Sequence, residues 1–234
     1  MAELSTEVVT PGALDASDRA AMLAIMARVY DGIDRAHFEA DLAGKDEVIV
    51  LRAPGGELAG FSTQQFMTVA TTAGAVTGVF SGDTVIAPEH WGSPALFQAF
   101  ARRYIIERPE PWYWFLISKG HRTYRMLPTF FTEYWPSRHA PTPVAASEIM
   151  AAYARARYGD QYDPASGVLA YREPRDRLRD GVAGLTEQVL RNPDAAFFAS
   201  ANPGHELGHD LVCLAELSPA KLRPAHRARL LGTR

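Results

Sequence analysis

The string His205-Glu206-Leu207-Gly208-His209 matches H-E-x-x-H, in which two histidines one helical turn apart bind zinc while the glutamate activates water. A second group, Lys119, His121, Arg122 and Arg125, is a cationic cluster suited to phosphates, and His90 could serve as a base or contact a phosphate. These are different chemistries, and the elements that carry the residues decide between them. Asn202-Pro203-Gly204 abuts His205, and the apolar runs 197–199 and 211–215 read as strands joined by a loop, so the zinc motif lacks the helix it needs. Val212 and Ala215 also stand where a metzincin continuation would place Gly and His. A zinc-dependent hydrolase centred on His205, Glu206 and His209 is therefore the alternative reading, and no metal is expected.

The 234 residues, 47% hydrophobic and 22% charged, can bury a real core, and the formal charge of −3 argues against nucleic acid or an anionic membrane as the main partner. The single Cys213 excludes an internal disulfide and reads as a buried small hydrophobe. With no cationic-then-apolar leader over residues 1–11, the expected location is the cytoplasm. Three prolines within 136–143 mark the best candidate boundary, predicting a domain over 1–136 and an extension over 137–234 that packs on it.

Met22, Ile25, Met26 and Val29 recur at helical spacing behind Asp15 and Ser17, and Phe38 and Leu42 repeat the pattern up to Gly44. Residues 48–51 and 58–69 flank Pro54-Gly55-Gly56 as a β-hairpin, and 76–86 is a third strand. Ser93-Pro94 then predicts an N-cap with proline at the first helical position, and 112–117 reads as a buried strand before a helix carrying Tyr124 and Leu127. In the extension a helix is expected near 147–158, a helical turn near 185–190, strands at 195–199 and 211–217, and a last helix from Ser218-Pro219. The order α-α-β-β-β-α-β-α describes an α/β fold, a mixed sheet flanked by helices.

That order, with Val85-Ile86-Ala87-Pro88-Glu89-His90-Trp91-Gly92 leading from a strand to a helix, resembles the GNAT family of N-acetyltransferases over about residues 16–135. The resemblance implies that the fourth core strand splays from the fifth and that an acyl-CoA lies in the gap, with its pyrophosphate on the N–H groups opening the next helix. It assigns the donor to Ile86, Trp91, Gly92, Ser93, Lys119 and Arg122. The family's phosphate turn is altered: Trp91, Pro94 and Leu96 occupy its defining places, only Gly92 remains of the glycines, and Pro94 has no N–H to donate.

The implied activity is direct transfer of an acyl group from a thioester, on CoA or an acyl carrier protein, to an amine. Asp83 is the candidate base, Tyr124 the candidate acid and His90 a further catalytic candidate, while Ser62 and Gln64 are placed to bond the acceptor. Expected partners are a small-molecule amine, an acyl carrier protein and a second copy of the chain, with neither nucleic acid nor membrane. A non-catalytic binding protein on the same scaffold is a further alternative. The basic end, Lys221, Arg223, His226, Arg227, Arg229 and Arg234, reads as a solvated helix face.

Overall fold

The computed structural model describes residues 4–108, 112–171, 176–182 and 184–231; Arg234 lies outside them. In chain order the elements are β1 (Ser5–Val9), α1 (Ala16–Val29), β2 (Tyr30–Asp31), α2 (Arg35–Ala43), β3 (Glu47–Arg52), β4 (Leu58–Thr71) and β5 (Gly74–Ile86). Then come α3 (Ala95–Ala101), β6 (Trp112–Ser118), α4 (His121–Tyr124), α5 (Met126–Phe130), α6 (Val144–Tyr158), β7 (Tyr162–Asp163) and β8 (Val168–Leu169). The chain closes through β9 (Arg177–Leu178), α7 (Glu187–Leu190), α8 (Pro193–Ala201), β10 (Asp210–Leu217) and α9 (Pro224–Leu231).

Eight strands form one mixed sheet in the order β1-β3-β4-β5-β6-β10-β8-β7, and β2 pairs with β9 separately. Only β5 and β6 run parallel; the other ladders are antiparallel. Alternation sorts the apolar side chains of each strand to opposite faces. On one face Ile49, Leu51, Val79, Trp114 and Leu116 pack with Leu96, Phe97 and Phe100 of α3 and Phe198 of α8. On the other, Val48, Val50, Phe61 and Val85 meet Met22, Ile25 and Met26 of α1 and Phe38 and Leu42 of α2. Further along that face Phe80, Phe115, Val212 and Leu214 meet Ile149, Met150 and Tyr153 of α6. The helical stripes of α1 and α2 are thus buried as their spacing predicts, and each helix starts on an aspartate: Asp15 accepts from Asp18 N–H at 2.8 Å and Asp34 from His37 N–H at 2.7 Å.

The segment after Pro136 packs on this sheet through α6 and α8 and also extends it. Seven residues of β10 pair with β6, from Leu211↔Ser118 to Leu217↔Trp112, so the proline-rich stretch joins two parts of one sheet. Residues 195–199, expected as a strand, lie within α8, because Asn192 accepts from Asp194 and Ala195 N–H, each at 3.1 Å, and Pro193 opens the first turn. No helix among the described residues is long and apolar enough to cross a membrane.

Candidate active site

The β4–β5 register passes from Ser62↔Thr84 to Gln64↔Ser81, leaving Gly82 and Asp83 opposite the single residue Thr63. This is a bulge, and it bends β5. Gly82 is required there: a Cβ would lie 2.6 Å from Thr63 Oγ1 and 2.9 Å from Lys45 Cε. At the same point β5 leaves β6. Their parallel pairing ends at Ser81↔Leu116, while β5 continues to Ile86 and β6 to Ser118, so a gap opens between the strand ends.

A chain of hydrogen bonds braces the bend from inside. Ser62 Oγ lies 2.7 Å from Thr84 Oγ1, Gln64 Nε2 donates to Ser62 Oγ at 2.6 Å, Ser81 Oγ donates to Gln64 Oε1 at 3.0 Å, and Trp114 Nε1 donates to Ser81 Oγ at 2.8 Å. Ser62 and Gln64 are buried and committed to this network, so they hold the bulge rather than contact an acceptor.

Two cavities meet at the gap and share Tyr30, Thr84, Gly120, Thr123, Met126 and Leu178 in their walls. The first, about 450 Å³, is lined by His37 and Asp41 of α2, Asp83 of the bulge, Arg157 and Tyr158 of α6, and Lys119, Tyr171, Asp176 and Asp210. Most of its charges are paired. Lys119 Nζ lies 3.0 Å from Asp210 and 3.4 Å from Asp176, and Tyr171 donates to Asp210 at 2.8 Å. Burial disfavours the Lys119 ammonium, but Asp210 and Asp176 outweigh it and hold the group protonated above the usual lysine range. Asp41 joins the fully buried Lys45 ammonium at 2.6 Å and the Arg157 guanidinium at 2.8 Å. Burial raises the Asp41 carboxyl, yet those two cations bring it below its ordinary value.

Asp83 is the exception. It is half-buried and makes neither hydrogen bond nor ion pair among the described residues. Burial pushes its carboxyl up to about 6, Asp41 adds to the rise, and Lys45 opposes it.

The second cavity, about 390 Å³, lies against the end of β5 and is lined by Ile86, Trp91, Gly92, Ser93, Arg122 and Arg125 among others. Ala87 N–H donates to Ala59 O at 2.9 Å, so by strand alternation the peptide groups of Thr84 and Ile86 face the gap. Trp91 Nε1 donates to Ile86 O at 2.8 Å, and the Arg122 guanidinium stacks 4.5 Å from the Trp91 ring centroid. Gly92 takes φ +89°, which a side chain would strain. Ser93 Oγ accepts from Ala95 N–H at 3.3 Å, so with Pro94 lacking an N–H the turn offers little to a pyrophosphate.

The structure therefore gathers Ile86, Trp91, Gly92, Ser93 and Arg122 at one cleft and places Lys119 elsewhere, neutralised on the far side of the gap. Tyr124 reaches neither cavity: α4 is a single turn that turns this side chain inward onto Phe197, Phe198 and Tyr134, and its hydroxyl donates to Pro136 O at 3.0 Å. His90 ends a 3-10 turn (Pro88–His90) and lines neither cavity. His121 is buried. Tyr30, which follows α1 and pairs with Leu178, is the tyrosine at the junction; burial raises its hydroxyl well above the usual range. No local pattern points to it, because β9, which holds it there, lies 148 positions later.

The H-E-x-x-H string lies in a 3-10 turn (His205–Leu207) ended by Gly208 at φ +85°, which removes the helical i, i+4 alignment of the histidines. His205 Nδ1 is 3.0 Å from Asn202 O, and Asn202 Nδ2 donates to His209 O at 2.8 Å. Among the described residues no group of three histidine, cysteine or acidic side chains gathers to hold a metal ion.

No family model matches the chain, and no curated protein does. Solved structures do. A conserved Enterococcus faecalis protein described as a probable N-acyltransferase matches with a TM-score of 0.42 and 12% identity, over 55% of this chain and 33% of its own. An Escherichia coli GNAT family N-acetyltransferase in complex with CoA gives 0.40 and 11% over 56% and 69%. The Escherichia coli ribosomal-protein-S18-alanine N-acetyltransferase gives 0.39 and 11% over 58% and 88%. This chain thus spans about a third of the first protein's length, and its similarity to all three is confined to little more than half of its own residues.

Proposed function

We propose that the protein transfers an acyl group from a pantetheine thioester to an amine, on a divergent GNAT-like scaffold. One observation carries the reading: β5 and β6 part after Ser81 and Leu116, and a charged cavity and a second cavity with exposed peptide edges meet where they part. The peptide groups of Thr84 and the N–H of Ile86 fit the amides of a pantetheine arm, as an extended chain fits a free strand edge, while Ile86 O is held by Trp91. The turn at Ser93-Pro94-Ala95 fits a pyrophosphate poorly, so Arg122 and Arg125 at the rim would meet whatever phosphate the donor carries, on CoA or on a carrier protein.

The thioester supplies an activated carbonyl and a thiolate leaving group. Asp83 accepts the proton that frees the amine nitrogen to attack; the C–N bond forms, the C–S bond breaks, and Tyr30 gives its hydroxyl proton to the departing sulfur. A carboxylate brought to about 6 is matched to that task near neutral pH, and Tyr30 is assigned its part by its place at the junction of the two cavities. The test is thiol release from acetyl-CoA and acetyl-pantetheine in the presence of a panel of primary amines. Release that depends on both substrates supports the reading; none with any amine, together with no shift of the melting temperature by either thioester, removes it.

A further inference from the structure

A third cavity, about 320 Å³, opens beside the charged one and shares His37, Asp41, Asp83 and Asp176 with it. Met26, Ile33 and Phe38 supply its apolar wall, and Asp34 stands with the shared carboxylates. Among the described residues no lysine or arginine lines it. Lys45 and Arg157 are engaged on Asp41 and Lys119 on Asp176 and Asp210, so none of these three cations is free to meet a substrate carboxylate. The Asp83 carboxyl, half-buried and without a hydrogen-bond or ion-pair partner among the described residues, lies in the walls of both cavities. Two carboxylates of this wall, Asp83 and Asp34, stand outside the ion pairs among the described residues, and with the apolar strip they match an alkyl chain carrying a positive charge at each end.

We infer that the acceptor is an aliphatic diamine or longer polyamine, with its reacting nitrogen at Asp83, its methylenes along Met26, Ile33 and Phe38, and its second ammonium toward Asp34. This rests on the acyl-transfer reading for the identity of the reacting end. Asp34 also caps α2, accepting from His37 N–H, and asparagine caps equally well, so Asp34→Asn removes the charge and keeps the helix start.

The experiment is calorimetric titration of the full chain, alone and with CoA, using three four-carbon probes: 1,4-diaminobutane, n-butylamine and 4-aminobutanoate. The diamine is expected to bind about tenfold more tightly than butylamine and more tightly still than the aminobutanoate. Asp34→Asn should reduce the diamine's advantage about threefold and leave butylamine unchanged. Equal binding of diamine and butylamine, tightest binding of the aminobutanoate, or no binding of any probe in either state overturns the inference. Titration of acetyl-CoA in parallel separates the two readings. Diamine selectivity without thioester binding removes acyl transfer alone, and thioester binding without diamine selectivity removes the polyamine alone.

Discussion

The two sides of the gap are built from different materials. On the donor side the walls are apolar side chains and strand peptide groups, with Arg122 stacked on an exposed Trp91. On the proposed acceptor side Lys119, Asp210, Asp176, Lys45, Asp41 and Arg157 form buried or half-buried ion pairs beside Asp83, which has no partner among the described residues. A backbone edge reads any pantetheine alike and is insensitive to charge. A set of locked ion pairs fixes the field felt by one titrating group. Substitutions should therefore be severe on the acceptor side and mild on the donor side.

The largest effect is expected at Asp83. Asp83→Asn removes the proton acceptor and should lower turnover by about 10²–10⁴-fold, measured as thiol release at saturating amine. Parent activity should rise with pH through about 6 as Asp83 ionises. The folded protein holds that proton more tightly than the unfolded chain. The carboxyl's contribution to stability is therefore most favourable below the ordinary carboxylate range and is lost as pH rises through about 6. Urea unfolding should accordingly show Asp83→Asn more stable than the parent by about 1–3 kcal/mol at pH 8, with the gain vanishing near pH 4. An inactive variant no more stable at pH 8 would break the link between an isolated carboxylate and function.

Lys119→Met comes next. It leaves Asp210 and Asp176 without their shared cation and should cost about 3–5 kcal/mol in urea unfolding at pH 7. A cost below about 1 kcal/mol would show Lys119 to be an ordinary surface cation. Gly82→Ala should cost about 1–3 kcal/mol, because its Cβ must displace Thr63 Oγ1 and the Lys45 side chain; a neutral result would mean the bulge relaxes freely. The smallest effect belongs to the donor side. Trp91→Ala should weaken thioester binding by about threefold, read by calorimetry, and leave the melting temperature nearly unchanged. A loss as large as that at Asp83 would erase the contrast between the two sides.

What sequence could reveal follows the same division. The apolar periods of α1 and α2, the hairpin of β3 and β4, and the run 112–117 are local signals, and the structure uses them as read. The resemblance to the GNAT family points to Asp83, Trp91, Gly92 and Ser93, from their places within and directly after the strand 76–86. Tyr124 fails for a reason no spacing discloses: an aromatic on a one-turn helix can face either way, and the Pro136 carbonyl and Phe198 decided it. The ion pairs Lys119–Asp210 and Arg157–Asp41 join residues 91 and 116 positions apart, and β10 enters beside β6 from the far end of the chain. Such partners share no local pattern. The H-E-x-x-H string shows the converse, a complete local pattern without the helix that gives it meaning.

Amide hydrogen exchange with and without acetyl-CoA examines the gap itself. If a pantetheine arm lies along the free edge of β5, the N–H groups of Thr84 and Ile86 gain protection while those of β1 and β3 stay as they were. Unchanged exchange at both positions under saturating thioester, or protection appearing only outside the gap, would contradict the account.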